Sequence, residues 1–145
     1  MKFLVCIDGS EESLRAARKA ALFAEKLEDV IVTLIHVYYL EAVLIPHADD
    51  YVNGKASQKI EGEKKQNGAR ILDGVVKLFE EKNIKAHTLL AKGHPAQTII
   101  EAASKGSFDL VVTGSRGLGG LKKVMLGSVS NAVAQEVEST VMIVK

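Results

Sequence analysis

Four short apolar runs, at 3–7, 30–37, 110–113 and 141–144, and a fifth segment at 84–91 that mixes apolar residues with Lys85 and His87, recur along this chain, each separated from the next by a stretch that includes helical spacing. Runs of four to eight residues suit strands and are too short for helices. The order is therefore βαβαβαβαβ. Such alternation calls for a parallel sheet, because each intervening helix carries the chain back to where the next strand begins, and right-handed crossovers place helices on both faces. The expectation is a single α/β domain over 1–145, a doubly wound parallel five-stranded sheet. A chain of 145 residues has room for one such domain, and burying roughly 70% of its unfolded surface lets it fold without disulfides or structural metal.

Local signals place the boundaries. The first run ends at Asp8-Gly9-Ser10, a turn in which Ser10 can cap a helix. Glu11 and Glu12 complement that helix's positive end, and Leu14, Ala17, Ala21 and Ala24 share one face up to about Leu27. Residues 38–54 include Pro46, Asp49, Asp50 and Asn53 without sustained periodicity and read as a long loop. From Lys55 a polar half-helix, expected to project into water, leads to an apolar stripe of Ile71, Leu72, Val75, Val76 and Phe79. Lys85 and His87 mark the third strand as an edge. Pro95 can open the next helix and Gly106 can stop it, and a last helix is expected over 128–137. Val141, Met142, Ile143 and Val144 form a nearly apolar final strand. At a sheet edge it would need covering by another chain, and an interior position is the alternative.

Charge and cysteine content exclude several function classes. The 19 basic and 18 acidic residues leave a net charge of +1, too balanced for the basic field of a nucleic-acid binder. No run of 18 apolar residues exists and the N-terminal apolar run is short, so neither a membrane helix nor a signal peptide is expected. Cys6 is the single cysteine, which rules out an intramolecular disulfide or a CxxC pair and suits a reducing cytoplasm. It lies in an apolar strand where a thiolate is disfavoured, so it is a poor nucleophile. His36, His87 and His94 are scattered singles, and His47, Asp49 and Asp50 lack a second histidine at ligand spacing. No catalytic residue and no protein metal site are expected.

The chemistry concentrates between the fourth strand and the last helix. Over 114–127, five of fourteen residues are glycine: Gly114, Gly117, Gly119, Gly120 and Gly127. Glycine removes the Cβ and permits positive φ, so successive N–H groups can converge on an anion. Ser128, Val129 and Ser130 then open a helix whose free amides and dipole favour phosphate. From Leu110 to Gln135 there are three basic residues, Arg116, Lys122 and Lys123, and no acidic one. The chain has no GxxxxGK[ST], and the stretch from Gly117 to Lys122 misses the third glycine of GxGxxG.

What the segment does contain is G-x2-G-x9-G-[ST], through Gly114, Gly117, Gly127 and Ser128. This resembles the ATP-binding signature of the universal stress protein family. Val5-Cys6-Ile7-Asp8-Gly9-Ser10, His36-Val37, Gly93-His94-Pro95-Ala96 and the stretch from Asp109 to Gly117 look like that family's strand ends, so the likeness spans nearly the whole chain. The resemblance implies a Rossmann-like sheet of order 3-2-1-4-5. It implies that Asp8 contacts a ribose, that Ile7 and the Val37 backbone flank adenine, and that Gly114 packs near the ribose. Arg116, Gly117, Gly127, Ser128, Val129 and Ser130 would surround the phosphates of ATP, with Mg²⁺ or Mn²⁺ between phosphate oxygens. It also implies a homodimer paired through residues 141–144. His94 stands where the family often has an acidic or amide residue, and Ser139-Thr140 where it often has Cys-Pro. These departures leave the phosphate loop untouched.

A receiver domain of this architecture would need an aspartate ending the third strand, where Leu90-Ala91-Lys92-Gly93 stands instead. A flavin carrier would need a hydroxyl-rich loop after the first strand, where Glu11 and Glu12 would repel phosphate. The expected function is a cytoplasmic, nucleotide-dependent switch or sensor with slow or no ATP hydrolysis, because no base besides Asp8 is placed near a γ-phosphate. A nucleotide-free dimeric adaptor, with the glycine loop meeting a protein partner, is the alternative. The downstream partner is not readable from the sequence.

Overall fold

The computed structural model describes residues 1–39, 55–118 and 126–145. Most of the expected 38–54 loop, together with Gly119, Gly120, Lys122 and Lys123, lies outside the described residues. The elements are β1 (Lys2–Cys6), α1 (Glu11–Ala24), β2 (Ile31–Tyr38), α2 (Lys55–Glu80), β3 (Lys85–Lys92), α3 (Pro95–Gly106), β4 (Leu110–Gly114), α4 (Ser128–Glu136) and β5 (Thr140–Val144). All neighbouring strands pair in parallel, in the order β3-β2-β1-β4-β5. Val5 of β1 aligns with Leu34 of β2 and with Val112 of β4. β1, β2 and β4 are thus interior, whereas β3 and β5 are the edges, which settles the position of the final strand.

Period-two alternation divides the interior between the two faces of the sheet. Phe3, Val5 and Ile7 of the first strand and its exit pack with the alanines of α1 and with Leu72, Val75 and Phe79 of α2. Leu4 and Cys6 point the other way, onto Ile99 and Ala103 of α3 and Val133 of α4. Ala16, Ala17, Ala20, Ala21 and Ala24 are all buried, so α1 presents little more than Cβ atoms to the sheet side chains it packs on. The approach is closest at the end of β4, where a Cβ on Gly114 would come within 2.8 Å of the Glu12 main-chain carbon.

Helix ends follow the local chemistry. Ser10 caps α1, its side chain accepting from the Ser13 N–H at 3.1 Å. Helix α1 stops at Ala24, short of Leu27, which is exposed. Helix α3 does end at Gly106, but the left-handed residue is Ser107, at φ 49°. Gly106 is there for space, since a Cβ would run into the ring of Phe108.

Candidate functional site

Helices α1 and α2 cover one face and α3 and α4 the other, so the chain leaves β1 and β4 in opposite directions. A crevice opens beyond the carboxyl ends of strands at such a switch point. Here it is a cavity of about 460 Å³, and Ile7, Asp8, Val37, Gly114, Arg116, Gly117, Gly127, Ser128, Val129 and Ser130 all line it. These ten residues are therefore brought to one place, by β1, β2, β4 and the start of α4.

On the β4 side the glycine segment closes on itself. The Gly127 N–H donates to the Ser115 carbonyl at 2.8 Å, and the Ser115 N–H donates to the Val144 carbonyl at 2.7 Å. A Cβ on Gly127 would stand 3.3 Å from the Arg116 Cα, so the two ends of the segment nearly touch. Gly127 is the N-cap of α4 in extended conformation and supplies no side-chain cap. The first-turn N–H groups of Ser128, Val129 and Ser130 accordingly have no intrahelical acceptor. Ser128 is exposed, whereas Ser130 is buried with its hydroxyl 3.0 Å from both the Ser115 and the Gly127 carbonyls. The Ser130 side chain braces the closure, and what this residue can offer a ligand is its main-chain N–H.

Asp8 sits opposite. Its Oδ1 accepts from the Ser10 N–H at 2.9 Å and from the Ser10 hydroxyl, which fixes the carboxylate at the exit of β1. Its Oδ2 lies where a Cβ on Gly117 would approach to 2.5 Å, so the missing side chain lets the loop pass beside the carboxylate. Among the described residues no donor holds Oδ2. The free main-chain amides at the start of α4 and the carboxylate of Asp8 thus line one cavity.

The remaining wall was not legible as a site. His36 is buried, and its Nδ1–H donates to the Ile7 carbonyl at 2.8 Å, tying the ends of β1 and β2 together. Lys64, Asn67 and Ile71 of α2 also line the cavity, as do Tyr38, Tyr39, Pro95 and Ile99. The half of α2 expected to project into water therefore supplies part of the rim. Its signal was present, since positions 64, 67 and 71 share a helical face, but the polar side chains masked it. Cys6 lines the cavity as well, and burial pushes its thiol up to about 12, with the Asp8 charge adding to the effect.

The model of the universal stress protein family matches residues 1–145. The universal stress protein YxiE of Bacillus subtilis is 37% identical over 99% of this chain and 98% of its own length. The solved structure of MJ0577, a protein of Methanocaldococcus jannaschii, has the same fold. Its TM-score is 0.84 at 23% identity, covering 99% of this chain and 94% of that one. A universal stress protein solved in complex with cAMP has a TM-score of 0.72 at 23% identity, covering 100% of this chain and 97% of that one. Two further solved relatives, from Arabidopsis thaliana and Archaeoglobus fulgidus, carry AMP and dAMP, with TM-scores of 0.67 and 0.68 at 20% identity.

Proposed function

The chain belongs to the universal stress protein family, and on that premise we propose that its cavity binds an adenine nucleotide, with ATP as the physiological ligand. The observation that carries this reading is the convergence of all ten candidate residues on one cavity, among them a helix end without a side-chain cap and the apolar Ile7 and Val37. The first-turn amides of α4 and the half-buried Arg116 suit phosphates, and Oδ2 of Asp8 suits a ribose hydroxyl. The solved relatives that hold AMP, dAMP and cAMP support the adenosine half of the assignment. A triphosphate would bring Mg²⁺ or Mn²⁺ with it, held between phosphate oxygens. Among the described residues no three acidic, histidine or cysteine side chains converge on a metal position.

Within this reading the protein is a switch whose state follows nucleotide occupancy. Hydrolysis is slow or absent, because Asp8 is already engaged by Ser10 and would be taken by the ribose. The working form is a cytoplasmic homodimer paired along β5, consistent with a single buried thiol and an apolar edge strand. No helix among the described residues is long and apolar enough to cross a membrane. The test is to heat-denature freshly purified protein, measure released adenine nucleotide at 260 nm, and titrate ATP calorimetrically in millimolar Mg²⁺. Released nucleotide or saturable heats support the assignment. Neither would return the glycine segment to the role of a protein-binding loop.

A further inference from the structure

Helix α2 forms one wall of the cavity through Lys64, Asn67 and Ile71, and its path is pinned at three levels. Ile71 lies beside the exit of β1, where a Cβ on Gly9 would stand 3.1 Å from the Ile71 Cδ1. One turn earlier, Gly68 is pressed onto β2 and β3, since a Cβ there would come within 2.6 Å of the His36 Cδ2 and 2.8 Å of the Leu90 Cδ1. Another turn earlier, the Lys64 ammonium donates to the Tyr39 carbonyl at 2.6 Å, just past the end of β2. Asn67 falls between these anchors, on the face that lines the cavity, and its amide bonds to no described residue.

We propose that Asn67 reads the base and makes the site selective for adenine. The proposal rests on the nucleotide reading above, in which the base lies between Ile7 and Val37. Gly68 sits on His36 and the Lys64 ammonium reaches the Tyr39 carbonyl, so Asn67, between these two anchors, falls at the level of Val37, which flanks that base. A carboxamide carries a donor and an acceptor side by side. Adenine presents the complementary pair on its N6 and N7 edge, the N6 amino group as donor and N7 as acceptor, and this is a pairing that asparagine makes with both bonds. Guanine and hypoxanthine present O6 and N7, two acceptors, so the amide can satisfy only one bond and sets its oxygen against O6. Asn67 is a specificity residue contributed by an element remote from the glycine segment, and the seat of Gly68 on His36 positions it.

The experiment compares ATP, inosine triphosphate and inorganic tripolyphosphate by titration calorimetry on the full chain and on Asn67→Ala. Inosine triphosphate differs from ATP at the base edges alone. In the unaltered protein ATP should bind about tenfold more tightly than inosine triphosphate, the scale of one bidentate base contact. Asn67→Ala should bring the two to near equality, chiefly by weakening ATP, while tripolyphosphate heats stay the same. Alanine is the better helix former at this exposed position, so the fold is retained. A variant that keeps the full ATP preference overturns the role of Asn67 and leaves nucleotide binding standing. A parent protein that binds none of the three overturns both.

Discussion

At the scale of single residues, the site depends on atoms that are missing as much as on those present. Gly117 has no side chain because Asp8 Oδ2 occupies the space that a Cβ would need. Gly117→Asp adds bulk there and sets a second carboxylate beside the phosphate position. Losing a helix-end or charge-assisted contact costs about 1 to 3 kcal/mol, and like-charge repulsion adds to it, so ATP affinity should fall at least about tenfold. Unchanged titration heats in that variant would place the ligand elsewhere. Cys6 yields a second prediction. Its thiol is raised from 9.0 to about 12 chiefly by burial, so between those values the folded chain keeps a proton that the unfolded chain has released. Stability therefore has no Cys6 dependence well below pH 9, and it declines as pH rises from 9 toward 12. Urea unfolding midpoints should fall across that window, and Cys6→Ala should flatten the decline. A thiol reagent at neutral pH should label the unfolded protein far faster than the folded one.

At the scale of elements, the start of α4 separates two serines that look alike in the sequence. Ser128 is exposed at the first helical position and caps nothing, because the cap is Gly127. Ser128→Ala should leave the melting temperature nearly unchanged and register only in nucleotide binding. Ser130→Ala removes a buried hydroxyl that bridges toward the Ser115 and Gly127 carbonyls. Those carbonyls keep other partners, the N–H groups of Gly127 and Asn131, so the loss should be about 1 kcal/mol, the net value of one hydrogen bond. Denaturant titration of both variants checks the contrast, and equal destabilisation would contradict the assigned cap. The same contrast shows the reach of sequence reasoning. The helix start was legible from the glycine and the serines that follow it, but which hydroxyl faces a ligand depends on how the segment closes on Ser115.

At the scale of the whole molecule, the sheet ends in an apolar edge. In a parallel pair a residue's N–H and C=O point to the same side of its strand. The Val144 carbonyl accepts from Ser115, next to β4, so Val144 and Met142 face inward, and Val141 and Ile143 direct their main-chain groups outward. Ile143→Pro removes an outward N–H without removing a bond to β4, and proline is tolerated on an edge strand. If β5 pairs with its twin, this variant should sediment as a folded monomer where the parent sediments as a dimer. A parent that is already monomeric would exclude that assembly.

The sequence by itself determined the element order, the parallel sheet, the edge character of β3, the buried state of Cys6 and the glycine-rich passage from the fourth strand into the last helix. Each of these is written in local patterns: apolar runs, turn residues, glycine spacing and the sign of neighbouring charges. Only the tertiary structure decided that β5 is an edge, that Gly106 serves the Phe108 ring while Ser107 takes the left-handed turn, and that the polar half of α2 walls the cavity with Lys64 and Asn67. The physical reason is common to all three. They are set by contacts between residues on different segments or by the packing of a large side chain, and neither periodicity nor composition along the chain encodes which distant surface a given face will meet.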